Sequence, residues 1–327
     1  MNLPADRLSS LPDDIINKIL SYIETKDAIK TSILSSRWKN TWKSIPYLNF
    51  DTDDFDSLPK FTEYVTHVLS SRNNEIELSS VKLCFRGEIS QAFVESIMNY
   101  AFSHNVQKMT IICSYVRKHI EFPLSLFISR SLKDLTLFEC SISTTIKSSW
   151  DLPTLTTLHF GRVNFRNVIP FQDGESTSTE VSHAKADVEY GGLFSKCPNL
   201  KNITLTDCDI YVDDFTVCHS QLSNLSIKNG HSYSVVNVVA PHLKDPSVVK
   251  FKGDVKISAP KLSSLTYESE YYTELYSAYG FSSLEKVDFY ISYPYDEDAP
   301  KIIHVLQQFG NVKYLTLGLE VVEVFIF

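Results

Sequence analysis

The chain of 327 residues is long enough for one large domain or two smaller ones, with a core that needs neither metals nor disulfides. Hydrophobic residues make up 43% and charged residues 21% of the chain, which excludes wholesale disorder. The formal net charge of −8 argues against nucleic acid as a partner, because general nucleic-acid binding needs a basic surface.

The N-terminus and the cysteines indicate the compartment. No apolar stretch has signal-peptide length, and no apolar run reaches the roughly 18 residues of a membrane span. We therefore expect a protein of the cytoplasm or the nucleus without a membrane partner. The 6 cysteines form no C-x-x-C pair, which favours scattered buried thiols in a reducing compartment over a zinc site.

Residues 8–44 predict three short helices. A serine cap, Pro12 and two acidic residues mark the start of the first helix, and the apolar residues that follow recur at spacings of three and four. A second helix restarts near Thr25. A serine pair then separates it from a short, turn-rich third helix that ends before Pro46.

This small helical module holds 2 of the 3 tryptophans of the chain, Trp38 and Trp42. A unit of this size cannot hide all of its apolar residues. Two interpretations stay open: a partner protein covers the surplus, or the tryptophans cap the small core and dock on the next domain.

The module resembles an F-box. Residues 6–22, DRLSSLPDDIINKILSY, are similar to its first half, and residues 32–42, SILSSRWKNTW, are similar to its second half. The tail SIPYLNFD at residues 44–51 resembles the segment directly after the F-box in the large plant F-box/leucine-rich-repeat group. Ser36 departs from that group, which commonly has a basic residue there.

The resemblance implies that residues 1–50 bind a Skp-family adaptor, which connects to a cullin-based ubiquitin ligase. The residues that it implies on or behind the adaptor-facing surface are Leu8, Leu11, Pro12, Ile15, Ile16, Ile19, Leu20, Leu34 and Trp38. Residues 1–50 hold seven basic and five acidic residues, hence a charge of +2, which leaves −10 for the rest of the chain. A slightly basic module suits an acidic adaptor and would speed the encounter.

The rest of the chain predicts a linker helix and then a repeat. Residues 51–77 hold the linker helix, with Phe61, Val65 and Val68 at helical spacing. From residue 78 to 327 the pattern apolar-x-x-apolar-x-apolar recurs. Its copies begin at Leu78, Val106, Leu132, Leu155, Leu200, Leu222, Leu262, Leu284 and Val312, with a degenerate copy at Leu243 that has Pro246 in the second apolar position. Most copies lie about 20 to 28 residues apart, a spacing typical of leucine-rich repeats.

We therefore expect an α/β fold, in which a three-helix F-box precedes a leucine-rich-repeat solenoid of about ten repeats with a curved parallel sheet. Amphipathic helices between some strands, with faces Ile89–Ala101 and Ile302–Phe309, favour this fold over a parallel β-helix. So does the low count of 10 glycines. Cys140 and Cys208 would lie buried in the turns after their strands.

Two segments depart from the repeat. Residues 168–192 are polar and acidic and predict a long surface loop inserted between repeats. The apolar residues after Leu317 predict a strand-like tail where a solenoid should end in a polar cap, which indicates a truncated last repeat.

No catalytic motif and no metal or cofactor site is predicted. G-x-S-x-G, H-E-x-x-H and Walker loops are absent, and the acidic run at residues 51–56 lacks the glycine and closing glutamate of a calcium loop.

A protein-binding face on the concave side of the sheet is favoured, with a plain solvated face as the alternative. Its candidate substrate-binding residues are Thr136, His159, Thr204, Ser226, Thr266, Asp288, Tyr290 and Thr316. The tyrosine-rich stretch 267–279 is the most contact-like patch, because tyrosine is enriched at interfaces.

Three functions are compatible with these features. The leading prediction is a non-catalytic substrate-recognition subunit of an SCF-type cullin ubiquitin ligase, in which the F-box holds the adaptor and the repeats hold an unknown target protein. The second is a leucine-rich-repeat scaffold that binds a protein without ubiquitin transfer. The third is a carbohydrate-active β-helix enzyme, which would need clustered aspartates or arginines on one sheet face, and the sequence shows no such cluster.

Overall fold

The computed structural model describes residues 10–87, 89–114, 122–143, 150–166, 194–212, 215–277 and 280–324. The chain divides into two compact units, residues 1–140 and residues 141–327, and each is described by itself. The predicted surface loop at 168–192 lies outside the described residues.

The described residues of the first unit form five α-helices and four strands. Its helices are α1 (Asp13–Leu20), α2 (Thr25–Lys30), α3 (Leu58–Ser71), α4 (Gln91–Ser103) and α5 (Leu124–Phe127). Its strands are β1 (Tyr47–Asp51), β2 (Ser80–Arg86), β3 (Lys108–Ser114) and β4 (Asp134–Phe138).

The second unit consists mainly of strands. They are β5 (Ser141–Ser143), β6 (Thr157–Gly161), β7 (Asn164–Arg166), β8 (Asn202–Thr206), β9 (Asp209–Tyr211), β10 (Phe215–Cys218), β11 (Asn224–Lys228), β12 (His231–Ser232), β13 (Val236–Val239), β14 (Ser247–Val249), β15 (Val255–Ser258), β16 (Ser264–Ser269), β17 (Leu275–Ser277), β18 (Lys286–Ile291) and β19 (Tyr314–Leu317). Its helices are α6 (Ala299–Gln307) and α7 (Leu319–Glu323).

The first two predicted helices are confirmed as α1 and α2. Pro12 occupies the N-cap of α1, and Asp13 and Asp14 in the first turn interact favourably with the positive end of the helix dipole. The third predicted helix is only a 3-10 helix, Thr41–Ser44, preceded by turns. The segment before Pro46 has room for one tight turn, because proline cannot continue a helix.

Both tryptophans of the helical module are buried, and Trp38 belongs to the module's own core. Trp38 packs in one cluster with Ile16, Leu20, Ala28 and Ile45, and all five are at most 2% exposed. Trp42 is 7% exposed. The large apolar side chains that the module leaves exposed are aliphatic except for Tyr22.

The tail of the F-box-like segment is the first strand of a parallel sheet. β1 pairs with β2, and the order continues through β3 to β4. The boundary predicted at residue 50 thus falls inside β1. The repeat copies predicted at Leu78, Val106 and Leu132 are confirmed as the strands β2, β3 and β4.

The predicted linker helix is confirmed as α3, which buries Phe61, Val65 and Val68. Arg72, directly after α3, is itself buried at 5% exposure. Its Nη1 donates to the carbonyl of Ile45 at 2.6 Å, and its Nε donates to the hydroxyl of Tyr100 at 3.3 Å. One side chain therefore joins the core of the helical module to α4.

Seven parallel strands of the second unit contain every repeat copy predicted from Leu155 onward, in the order β6-β8-β11-β14-β16-β18-β19. The degenerate copy is confirmed as well, since Leu243 and Pro246 are buried and β14 lies between β11 and β16. β14 begins one residue after Pro246, which has no N–H for the ladder.

The described return segments of these repeats are mostly strands. Strands of the return segments form two further parallel sheets, β5-β7-β9-β12 and β10-β13-β15-β17, so the described return segments from β8 to β16 consist of strand and turn. The two predicted return helices are confirmed as α4 in the first unit and α6 in the second. The predicted inward face of α6 is partly wrong: Val305 is buried, whereas Ile303 is 42% exposed.

The inward face of α4 also departs from the prediction. The helix buries Val94 and Met98 together with the expected Ile97 and Ala101, whereas Phe93 is half-buried. Both predicted faces are therefore right in part, because a row of apolar residues at spacings of three and four can be drawn on either side of the true one.

One left-handed residue follows the strand of five successive repeats. These residues are Glu139, Arg162, Asp207, Asn229 and Lys250, and their φ angles lie between 49° and 56°. The next residue in each turn is buried: Cys140, Val163, Cys208, Gly230 and Phe251. The predicted buried position of the two cysteines is thus confirmed. Burial raises the pKa of the Cys208 thiol to about 11, so this thiol stays protonated at neutral pH.

The predicted strand-like tail is wrong over its described part, which forms the short helix α7. Val321 is fully buried, while the two glutamates three residues apart, Glu320 and Glu323, are exposed. Residues three apart lie on the same side of a helix, so both glutamates face solvent there. In a strand, residues three apart would lie on opposite faces. Among the helices that the structure describes, none is long and apolar enough to cross a membrane.

Candidate protein-binding surfaces

The helical module leaves large aliphatic side chains exposed next to its core. α1 presents Ile15 and Ile19 one turn apart, and they are 43% and 38% exposed because Ile16 and Leu20 take the positions that face the core. Beyond α2, Ile33 is 86% and Leu34 is 51% exposed. We call Ile15, Ile19, Ile33 and Leu34 the aliphatic face.

An ion pair joins the two segments that carry the aliphatic face. Nη2 of Arg37, three residues after Leu34, lies 2.5 Å from a carboxylate oxygen of Asp13 at the start of α1. Arg37 and Asp13 are both exposed, so the pair contributes little to stability, but it shows that the two segments lie next to each other.

The predicted adaptor-binding residues divide into an exposed and a buried set. Pro12, Ile15, Ile19 and Leu34 are exposed. Ile16, Leu20 and Trp38 are at most 2% exposed, so they can shape the surface but cannot contact a partner. Leu11 is half-buried against the same core, and Leu8 lies outside the described residues.

Sequence reasoning missed three exposed residues of this module. Tyr22 is 75% exposed, Ile23 is 38% exposed, and Ile33 belongs to the aliphatic face. The signal was present for the two isoleucines, because both continue the apolar periodicity that predicted the helices, and the small core had no room left for them.

In the second unit, the predicted substrate-binding residues lie in one row across the seven-stranded sheet. Successive register partners in this polar row are His159, Thr204, Ser226, Ser247, Thr266, Asp288 and Thr316. Ser247 was missed because Pro246 obscured its repeat copy. Tyr290 lies two residues beyond Asp288, opposite Glu268, and Thr136 belongs to the first unit, opposite Thr110.

The polar row holds neutral groups and one fixed carboxylate. Nε2 of His159 and Oγ of Ser226 are shielded from solvent without a hydrogen-bond partner among the described residues. Burial lowers the pKa of His159, which favours the neutral ring. Hydrogen bonds from Thr316 and Lys286 lower the pKa of the Asp288 carboxyl, and the Lys286 ammonium lies 3.0 Å from it.

A second row beside the polar row is joined by side-chain hydrogen bonds. The amide of Asn224 donates to the amide oxygen of Asn202 at 2.6 Å, and the amide of Asn202 donates to the hydroxyl of Thr157 at 3.2 Å. These bonds fix the side chains in place, so this part of the sheet face is preorganised for contact.

His219, which lies beside Cys218, has both ring nitrogens engaged with the backbone. Nε2 lies 2.7 Å from the carbonyl oxygen of Cys197, and Nδ1 accepts from the N–H of Gln221 at 3.1 Å. This arrangement holds the neutral tautomer with the proton on Nε2. The described residues contain no group of His, Cys, Asp and Glu side chains that could hold a metal ion.

Comparison with known proteins matches both parts of the chain. The F-box domain profile matches residues 8–50. F-box/LRR-repeat protein At3g26922 of Arabidopsis thaliana is 30% identical over 253 residues, which cover 76% of this chain and 76% of that protein. F-box/LRR-repeat protein 25 of the same plant is 27% identical over 246 residues, covering 73% of this chain and 84% of that protein. FBD-associated F-box protein At3g52670 is 30% identical over 223 residues, and the chain spans about half of its length, 48%.

Proposed function

Since this chain belongs to the plant F-box/LRR-repeat family, we propose that it is a substrate receptor of an SCF-type cullin ubiquitin ligase. In this proposal the F-box, residues 8–50, binds a Skp-family adaptor that is held by a cullin, and the repeats bind a target protein. The observation that carries the proposal is the aliphatic face, because it lies within the residues that match the F-box domain. Large aliphatic side chains that a small module leaves exposed are typical of a protein-binding surface.

The size of the aliphatic face supports a specific contact. Full burial of one Ile or Leu side chain contributes about 1.5–3 kcal/mol, and these four are roughly half exposed in the free module. Their burial by an adaptor would therefore contribute about 4 kcal/mol, which corresponds to a factor of about a thousand in the binding constant. The buried Trp38 and Ile16 would hold the exposed residues in position.

On the target side, we propose that the polar row contacts the substrate. The row of hydrogen-bonded side chains beside it supports this, because the fixed amides of Asn202 and Asn224 make this part of the sheet face preorganised for contact. The receptor would perform no covalent chemistry. It would raise the rate of ubiquitin transfer by holding the target lysines near the ubiquitin carrier.

A binding measurement with the purified full chain and a Skp-family adaptor tests this proposal. We expect the variant Ile15→Asp with Leu34→Asp to bind the adaptor at least about a hundredfold more weakly, because it places two charges in the apolar contact. The control is Ile303→Asp on α6, an isoleucine of similar exposure, 42%, which should bind like the wild type.

Equal affinity of the double variant and the wild type would contradict the proposal. A second readout is the complex recovered from cells after proteasome inhibition. Recovery of both adaptor and cullin supports a ligase receptor, whereas recovery of the adaptor without a cullin favours the scaffold that binds a protein without ubiquitin transfer.

A further inference from the structure

One exposed tyrosine in the loop after β16 contacts two exposed tyrosines in the loop after β18. Tyr271, Tyr293 and Tyr295 are 44%, 63% and 55% exposed. The ring of Tyr271 stacks on that of Tyr295, with centroids 5.7 Å apart and planes at 10°, and its centroid lies 6.0 Å from that of Tyr293. We call these residues the tyrosine cluster.

The repeat backbone holds the tyrosine cluster in place. The N–H of Tyr293 donates to the carbonyl of Glu270 at 2.8 Å. This backbone hydrogen bond joins the two loops directly beside the rings. The N–H of Tyr295 donates to the carboxylate of Asp298 at 3.3 Å. Tyr267, by contrast, is 1% exposed and belongs to the core. The tyrosine-rich stretch therefore contributes one ring to the core and another to this surface.

The surroundings of the tyrosine cluster are acidic. Asp296, Glu297 and Asp298 follow Tyr295 directly, and the first two are exposed. The carboxylate of Glu270 is paired with the ammonium of Lys252 at 3.0 Å. A further cation, Lys301, lies with its ammonium 5.9 Å from the ring centroid of Tyr272. The carboxylates still outnumber the cations, so the local charge is negative.

We propose that the tyrosine cluster and the carboxylates of residues 296–298 form a docking surface for an extended, arginine- or lysine-rich segment of a partner protein. A guanidinium stacks on a tyrosine face and pairs with carboxylates through its planar fork of donors, so both halves of the surface select the same side chain. The proposal rests on the proposed role of the repeats in binding a partner protein. It adds the charge of that partner and a site outside the polar row.

Fluorescence anisotropy with the full chain and two labelled peptides tests this proposal. One probe is a short peptide of alternating arginine and glycine, and the other has glutamate in place of arginine. We expect the arginine peptide to bind at least about tenfold more tightly, with an affinity that falls as salt is added. The variant Tyr271→Ser with Tyr293→Ser should bind the arginine peptide roughly tenfold more weakly.

The acidic half is tested by Asp296→Asn with Glu297→Gln. This variant should bind the arginine peptide about fivefold more weakly at low salt and with a smaller salt dependence. Two matched controls should bind like the wild type. Glu320→Gln with Glu323→Gln removes the same charge from another exposed site of the second unit, and Tyr233→Ser removes a tyrosine that is 79% exposed.

Equal losses in the cluster variants and in the controls would mean general attraction to an acidic protein, and no loss in any variant would mean binding elsewhere. Either result overturns the proposal. Failure of the adaptor proposal is distinguishable, because the Ile15→Asp with Leu34→Asp variant should keep its affinity for the arginine peptide. The cluster variants should in turn bind the adaptor like the wild type.

Discussion

Single buried polar side chains connect the elements in both units. Arg72 is a nearly fully buried cation whose donors reach the carbonyl of Ile45 and the hydroxyl of Tyr100. His219 plays a comparable part in the second unit, where it bridges the backbone of Cys197 and of Gln221. Each stabilises a contact between separate segments, and His219 does so as a neutral ring.

The neutral state of His219 makes the second unit sensitive to acid. Burial lowers the pKa of His219 below the value of about 6.5 of a free histidine, so the unfolded chain binds the proton more readily. Its contribution to stability is therefore complete above about pH 6.5 and is lost as the pH falls through the lower pKa of the folded state.

We expect His219→Gln to unfold more easily than the wild type at pH 7, by about 1–3 kcal/mol, because the glutamine amide can replace the Nε2 donor but not also the Nδ1 acceptor, so the N–H of Gln221 loses its partner. The difference should shrink as the pH falls from about 6.5 towards 5, since the wild type then loses the same contribution. Urea titrations at a series of pH values measure this. The control is His242→Gln, an exposed histidine, and a pH-independent difference for His219→Gln would contradict the assignment.

At the scale of the element, most of the left-handed turn positions hold residues that rarely adopt a left-handed backbone conformation. Four of the five left-handed positions hold Glu139, Arg162, Asp207 and Lys250, and Asn229 alone is an amide. A left-handed conformation costs about 1–2 kcal/mol for most residues and less for asparagine or aspartate. These turns persist because the following residue fills the core.

Lys250→Asn should therefore stabilise the second unit by about 0.5–1 kcal/mol. The ion pair that it removes, 3.5 Å between Lys250 and Glu268, is exposed and contributes little. Urea denaturation measures the gain, with Lys228→Asn as the control, because Lys228 is exposed within β11 and has no left-handed backbone. A similar shift for both variants would show that the backbone conformation is not its cause.

The elements show where the sequence is informative. The strands at Leu200 and Leu222 were predictable, because three buried positions at fixed spacing define a leucine-rich-repeat strand. The strands of the return segments were not predictable, since strands such as β13, with the sequence VNVV, are too short to show a periodic pattern of apolar residues. The left-handed turns had no glycine to mark them. The sequence also did not show which of the predicted adaptor-binding residues are buried. The family resemblance does not separate residues that contact a partner from residues that support the contact surface.

At the scale of the whole molecule, stability in the second unit is a sum over neighbouring repeats. β16 has a partner strand on both sides, whereas β19 pairs only with β18 among the described residues. Tyr314 and Leu315 of β19 are 68% and 47% exposed. The seven-stranded sheet should therefore open from β19 inward.

Amide hydrogen exchange of the full chain measures this opening. We expect the amides of β19 to exchange at least about tenfold faster than those of β16, with β18 between them, because local opening of an edge strand breaks the fewest contacts. The reference is β11, a central strand of the same sheet. Uniform protection from β11 to β19 would show that the unit opens as a whole.

The three-sided cross-section from β8 to β17 has a consequence for how such a surface changes during evolution. Each repeat here is one complete turn of the solenoid. Its strands pair with those of the neighbouring repeats at equivalent positions, as His159, Thr204 and Ser226 do. Duplication of one such stretch of DNA would add one layer, about 4.8 Å deep, and would leave the contacts within every other layer intact. The distance between two groups on the surface could thus change in fixed steps without any change in the groups themselves.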